Sequence, residues 1–196
     1  MSGSSVSIRP FCAGDAPALC AAIQESIQEL CAWMTWCHTG YSIAETRAFL
    51  SVCAYSWQQG KRYSFAIIDP QDETLLGSVG LSCVNQSHRF ANLGYWVRTS
   101  RTGEGVASAA TLRAARCGLS ELGLNRLELV VPVNNQPSQR VAERVGARRE
   151  GILRKRLLLQ GKSHDALLYS LVAEDLASAK RLSRCRAAHT SVSEAR

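Results

Sequence analysis

The chain has no apolar run of membrane-spanning length, and its first residues, MSGSSVSIRP, lack the apolar core of a signal peptide. A soluble, cytoplasmic protein without a membrane partner is the expectation. No Cys-x-x-Cys pair occurs among its eight cysteines (Cys12, Cys20, Cys31, Cys37, Cys53, Cys83, Cys117 and Cys185). Their spacing therefore offers no zinc site, no metal is expected, and buried reduced thiols are the plainer reading. There is no internal repeat and no interior linker. Acids are few beside bases, 16 against 23, for a net charge of +7. That excess is local: residues 177–196 hold five bases and one acid, four of the seven net charges. The body is only mildly basic and supplies no electrostatic ground for a DNA partner. The tail reads as a solvated basic terminus, with contact to RNA or an anionic surface open to it.

What is present is the pattern of a sheet protein. At 196 residues, 46% of them hydrophobic, one domain with a substantial core is expected over residues 1–176, followed by the tail 177–196. SVSIRP reads as a strand. Asp15 and Pro17 open a helix whose Leu19, Ile23, Ile27 and Leu30 repeat at helical spacing to about Met34. Ser42 and Glu45 form a capping-box pattern for a second helix ending near Gly60. YSFAIID and TLLGSVGLSCV read as a hairpin around PQDE, HRFANLGYWV as a fourth strand and RLELVVPV as a fifth. Helices are predicted over 105–122 and 137–145, and a final hairpin turns at Gln160-Gly161. The order gives an α/β or α+β domain with helices on both faces of the sheet.

The stretch GYWVRTSRTGEGVASAATLRAA, residues 94–115, joins a strand to a helix through small residues at Gly103, Gly105 and Ala107. Such a join lets main-chain N–H groups and the positive end of a helix approach a phosphate. It is not a P-loop, because Gly105 is followed by Val106-Ala107 and not by Lys-Ser/Thr. It fits a dinucleotide fingerprint imperfectly, since Ser108 stands at the third glycine and Glu128 lies inside the next strand. Two readings stay open on the residues alone: an acyl-CoA diphosphate loop over Thr102–Ala107, and a turn that serves only the fold.

LGYWV, GEGVAS, ELGLNRLELVV, NNQPSQRVAERVGARREGILR and GKSHDALLYSL follow one another in an order and spacing that resemble the GNAT superfamily of N-acetyltransferases. Within it, the likeness is to the RimJ/RimL-type enzymes that acetylate protein N-termini. The resemblance covers roughly residues 5–176 and implies a single GNAT-like domain: a mixed, mostly antiparallel seven-stranded sheet with helices on both faces. It implies acetyl-CoA as cosubstrate, held by the main chain of Trp96 and Val97, by the loop Thr102, Gly103, Glu104, Gly105, Val106, Ala107 and Ser108, and by Asn135 and Ser138. Three positions depart from the family pattern. Thr102 stands where many members have Arg or Gln, Asn92 where many have a Glu base, and Ala142 where many have a Tyr that protonates the leaving thiolate.

Glu150 is then the candidate base, acting through water, with an amine-binding role also open because Arg148 would share its strand face and lower its pKa. A surface ion pair is the plainer alternative. Ser138 is the candidate acid for the thiolate, or simply a helix-start serine; Asn135 is a pantetheine ligand or an N-cap. Trp36, His38 and Tyr41 in WMTWCHTGY, with His164 and Asp165, border the acceptor side, where core packing and turn stabilisation are equal alternatives. An α-amine of pKa about 7.7–8.0 costs about 1 kcal/mol to deprotonate at pH 7, and a lysine near 10.4 costs more than about 4. The acceptor expected is therefore a protein or peptide N-terminus, a ribosomal protein among the candidates. Acetylation of a small amine (polyamine, amino acid or aminoglycoside) is the alternative enzyme reading, and a non-catalytic acyl-CoA-binding module the alternative outside catalysis. Relatives often pair, so a homodimer stays open.

Overall fold

The computed structural model describes residues 5–176; the basic tail expected over 177–196 lies outside the described residues. Seven strands form one sheet in the order β1-β2-β3-β4-β5-β7-β6. They are β1 (Ser7–Pro10), β2 (Tyr63–Ile68), β3 (Leu75–Asn85), β4 (Phe90–Val97), β5 (Arg126–Pro132), β6 (Arg148–Leu159) and β7 (Lys162–Leu171). Every neighbouring pair is antiparallel except β4–β5, which is parallel. The helices that pack on the sheet include α1 (Ala16–Glu25), α2 (Ile27–Trp33), α3 (Ile43–Gln58), α4 (Val106–Arg116) and α5 (Gln136–Arg144). No described helix is long and apolar enough to cross a membrane.

The two faces of the sheet bury their apolar residues in two separate cores. Val106, Ala110, Ala114 and Ala115 of α4 pack on Leu81, Ala91, Leu93, Leu127, Leu129, Tyr169 and Leu171. The alanines let the helix axis lie close to the sheet, which is why this crossover helix can connect adjacent parallel strands. On the opposite face Ala16, Leu19, Ala22, Ile23, Leu30 and Leu50 cover Ala66, Ile68 and Leu75. Helices on both faces of a mixed seven-stranded sheet are what the sequence led one to expect.

Two helices differ from the sequence reading. The apolar repeat from Leu19 to Leu30 predicts one helix, yet the chain breaks at Ser26. That residue is 1% exposed, and its hydroxyl donates to Ala22 O (2.8 Å) and accepts from Thr99 N (2.9 Å). A buried side chain with a partner 73 positions away overrides local periodicity. The helix predicted over 105–122 leaves α-helical geometry at Arg116 and continues as a π-turn over Cys117–Glu121. The capping box of α3 is present as read: Glu45 N donates to Ser42 Oγ (3.4 Å), and Ser42 N donates to Glu45 Oε2 (2.9 Å).

Candidate active site

The site begins where the sheet comes apart. β4 and β5 pair over only three positions, Phe90–Arg126, Ala91–Leu127 and Asn92–Glu128. Beyond them β4 stays with β3 as far as Val97, and β5 stays with β7 as far as Pro132. A gap therefore opens in the middle of the sheet, bordered by the main chain of Trp96 and Val97 on one side and leading to Asn135 and Ser138 on the other. Tyr95 and Ser138 join its two arms, with Tyr95 Oη and Ser138 Oγ 2.9 Å apart. Tyr95 escaped the sequence reading because LGYWV alternates as an ordinary strand.

The segment after β4 is braced before it reaches the glycines. Glu25, at the end of α1, accepts from two guanidinium nitrogens of Arg98 and from Ser100 N (3.0 Å). The Arg98 hydrogen bonds, followed by those from Ser100, hold the Glu25 carboxyl down at about 2. Arg101 donates to Asp69 Oδ2 (2.9 Å) and to Glu104 Oε2 (2.8 Å), which raises its own pKa, Glu104 contributing most. Thr102 turns its hydroxyl back on Thr99 O (2.9 Å). Neither Glu25 nor Asp69 was legible as a support, since Glu25 is 73 positions from Arg98 and Asp69 is 32 from Arg101.

Gly103 and Gly105 both have positive φ, 81° and 85°, and a Cβ on either would meet nothing within 4 Å. Gly105 caps α4 without a side chain, so no capping side chain takes up the first N–H groups of the helix, which have no intrahelical partner. Val106 and Ser108 are buried, so neither side chain is offered to a ligand. This cradle fits an anionic diphosphate: fixed N–H donors, a helix N-terminus and room.

The candidate catalytic pair does not meet. Ser138 sits in the first turn of α5, where its N–H donates to Asn135 Oδ1 (3.1 Å), so Asn135 is the N-cap of that helix. Glu150 lies on β6, at a bulge between Arg149 and Gly151. It accepts two bonds from Arg126 (2.7 and 2.6 Å) and one from Ser170 Oγ (2.6 Å). Arg126 first, then Ser170, pulls its carboxyl down to about 2. The sequence pointed to Arg148 as the cation; the structure supplies chiefly Arg126, from β5.

Two cavities flank the gap. One, of about 450 Å³, lies between α1, α3 and the sheet and is lined by Met34, Trp36, Tyr41, Ser64, Ser82 and Trp96 among others. Trp36 meets Tyr41 edge-on, with ring centroids 5.7 Å apart, and lies tilted against Trp96 at 6.4 Å, which ties the connection after α2 to β4. No carboxylate is among its described lining residues. His38 does not line it; Nε2 is bonded to Glu45 (2.7 Å) and Nδ1 accepts from Gly40 N (3.2 Å). The second, of about 320 Å³, is lined by Trp33, Asn134, Lys162, His164 and Asp165 among others. There Asp165 accepts from Lys155 N (2.8 Å) and so holds the second bulge of β6. The hairpin tip reaches α2 through Gln160 Nε2, which donates to Cys31 O (3.1 Å).

The acetyltransferase (GNAT) domain model matches residues 5–148, well over half of the chain. The structure of Mycobacterium smegmatis RimJ in complex with CoA-disulfide superposes with a TM-score of 0.84 at 30% identity, covering 92% of this chain and 88% of that one. The Escherichia coli ribosomal-protein-serine acetyltransferase is 27% identical over 142 residues, 72% of this chain and 78% of its own. Bacillus subtilis YdaF is 35% identical over 104 residues, 53% of this chain and 57% of that protein, so this match spans little more than half of the relative. With a sheet that parts between its fourth and fifth strands and a glycine cradle at the head of the helix between them, the chain belongs to the GNAT acetyltransferase family.

Proposed function

We propose that this protein transfers the acetyl group of acetyl-CoA to the α-amine at a protein N-terminus, with a ribosomal protein as the acceptor class. The main-chain amides from Gly103 to Ser108 hold the diphosphate, the main chain of Trp96 and Val97 with Asn135 holds the pantetheine arm, and Ser138 faces the sulfur. Trp36, Tyr41, His164 and Asp165 border the acceptor.

One observation carries the choice of amine: the cavity lined by Trp36 and Tyr41 brings no carboxylate from its described lining residues. Glu150, held at about 2, is a weak base. Moving a proton to it from an ammonium of pKa about 8 is uphill by about 6 units, on the order of 8 kcal/mol. Its carboxylate is committed to Arg126 and Ser170, beside the end of β5 that still pairs with β4, so its part is to fix Arg126. An acceptor must then arrive largely neutral, which an α-amine does at a cost of about 1 kcal/mol and a lysine does not. The same absence weighs against a polyamine, which needs carboxylates to desolvate its charges. The names of the ribosomal-protein acetyltransferases among the relatives support the same acceptor class.

Thiol release from acetyl-CoA is the test, with three acceptors: free N-terminal peptides, the same peptides Nα-blocked but carrying a lysine, and spermidine. Turnover confined to the free N-termini, rising with pH along the acceptor's own titration, supports the reading. Preference for spermidine or lysine overturns it. CoA binding with no turnover on any amine identifies instead a non-catalytic module, the reading that Asn92 and Ala142 favour.

A further inference from the structure

Tyr95 belongs to no part of the reading above, yet its phenol bridges the two arms of the gap. It leaves β4 where that strand is no longer paired with β5, and the partner it reaches is Ser138 at the head of α5. The direction of this hydrogen bond follows from chemistry. A phenol is a better donor and a poorer acceptor than an alkyl hydroxyl, because its oxygen lone pair is delocalised into the ring. Burial pushes the Tyr95 pKa up to about 12, so the proton is present wherever an amine acceptor is assayed. The phenol therefore donates to Ser138 Oγ. A serine hydroxyl has one proton and two lone pairs. With one lone pair occupied by Tyr95, its own hydrogen is turned away from Tyr95. The backbone beneath it is fixed by the Asn135 cap.

We propose that Tyr95 is a positioning residue that aims the Ser138 hydroxyl at the sulfur of CoA. The inference rests on the acetyltransferase reading. In that reaction the amine nitrogen bonds to the acetyl carbon, the carbon–sulfur bond breaks with its electron pair on sulfur, and the proton shed by nitrogen balances the one sulfur takes up. Ser138 donates a hydrogen bond to the sulfur as charge gathers there, and Tyr95 sets the direction of that bond before the reaction begins.

The test uses the full chain and CoA itself. Titration of bound CoA by the ultraviolet absorbance of its thiolate is expected to show a thiol pKa about one unit higher in Tyr95→Phe than in the parent protein. Ser138→Ala should match it and the double variant should go no further. In turnover, one unit corresponds to a roughly tenfold loss in kcat, with KM for acetyl-CoA and calorimetric CoA affinity unchanged. A thiol pKa and kcat unaltered in Tyr95→Phe overturn the inference and leave the acetyltransferase reading intact. So does a second tenfold loss in the double variant, because Tyr95 then acts independently of Ser138. Should Tyr95→Phe fail to fold, an unshifted thiol pKa in Ser138→Ala refutes the proposal by itself. A parent protein that does not bind CoA refutes both.

Discussion

Gly105→Ala tests the cradle by separating two costs that usually arrive together. The backbone there has φ 85°, and a methyl group would meet nothing within 4 Å. The left-handed conformation costs an alanine about 1–2 kcal/mol, and the stiffer unfolded chain returns about 0.4–1 kcal/mol. The net destabilisation is about 1 kcal/mol, or a Tm lower by about 2–4 °C for a domain of this size. Gly123 offers a matched control beyond the far end of the same helix, with φ 67° and equally empty surroundings. Gly123→Ala should lose the same stability and keep full CoA affinity. Gly105→Ala should in addition lose CoA affinity, because the methyl group projects into the space the phosphates need. Hydrogen bonds to a charged group are worth about 1.5–3 kcal/mol each, so forfeiting one weakens binding by roughly 10- to 150-fold. Calorimetry with CoA and thermal melting on both variants measure the two costs separately. Equal CoA affinity in the two variants would refute the assignment of this loop to the diphosphate.

Glu150→Gln should destabilise the domain at pH 7 and lose that effect in acid. The folded carboxyl titrates at about 2 against an ordinary 4.5, so its contribution is complete above 4.5 and vanishes as pH falls towards 2; acid melts of both proteins should converge across that window. Glu25→Gln removes the charge that gathers Arg98 and Ser100. Faster amide exchange over residues 98–104 and a higher KM for acetyl-CoA, with kcat little changed, are expected from mass-spectrometric exchange and steady-state kinetics. Ser42→Ala deletes the N-cap of α3 and should cost about 1 kcal/mol, read as a lower Tm with unaltered CoA affinity.

Features with short-range causes were legible in the sequence. Ser42 and Glu45 are three residues apart, and their capping box appears as read. Gly103 and Gly105 announced a loop with an open backbone, and both take the positive φ that such a loop needs. Apolar runs bounded by turn residues placed all seven strands. Only some, such as β5, alternate between faces, while β2 is buried and β6 exposed along nearly their whole lengths. The features missed are those whose partner is remote. Ser26 ends α1 through Thr99, and Tyr95 meets Ser138 43 positions away. Glu150 was given a cation from its own strand, and a bulge beside it together with Arg126 on β5 made the environment different. Ion pairs between strands depend on sheet order, which no local pattern carries.

A rim strand exposes its unsatisfied amides and carbonyls to any other chain, and proteins blunt that hazard with charges and bulges, both of which β6 displays here. The parting of β4 from β5 creates a second pair of such ladders, folded into the interior between a four-stranded block and a three-stranded one. Foreign strands are kept out by the neighbours on either hand, while a slender amide-bearing arm can slip in and complete the interrupted hydrogen bonding. Under the proposed function that arm is the pantetheine of acetyl-CoA, and the interior ladders serve it without lying open at a rim.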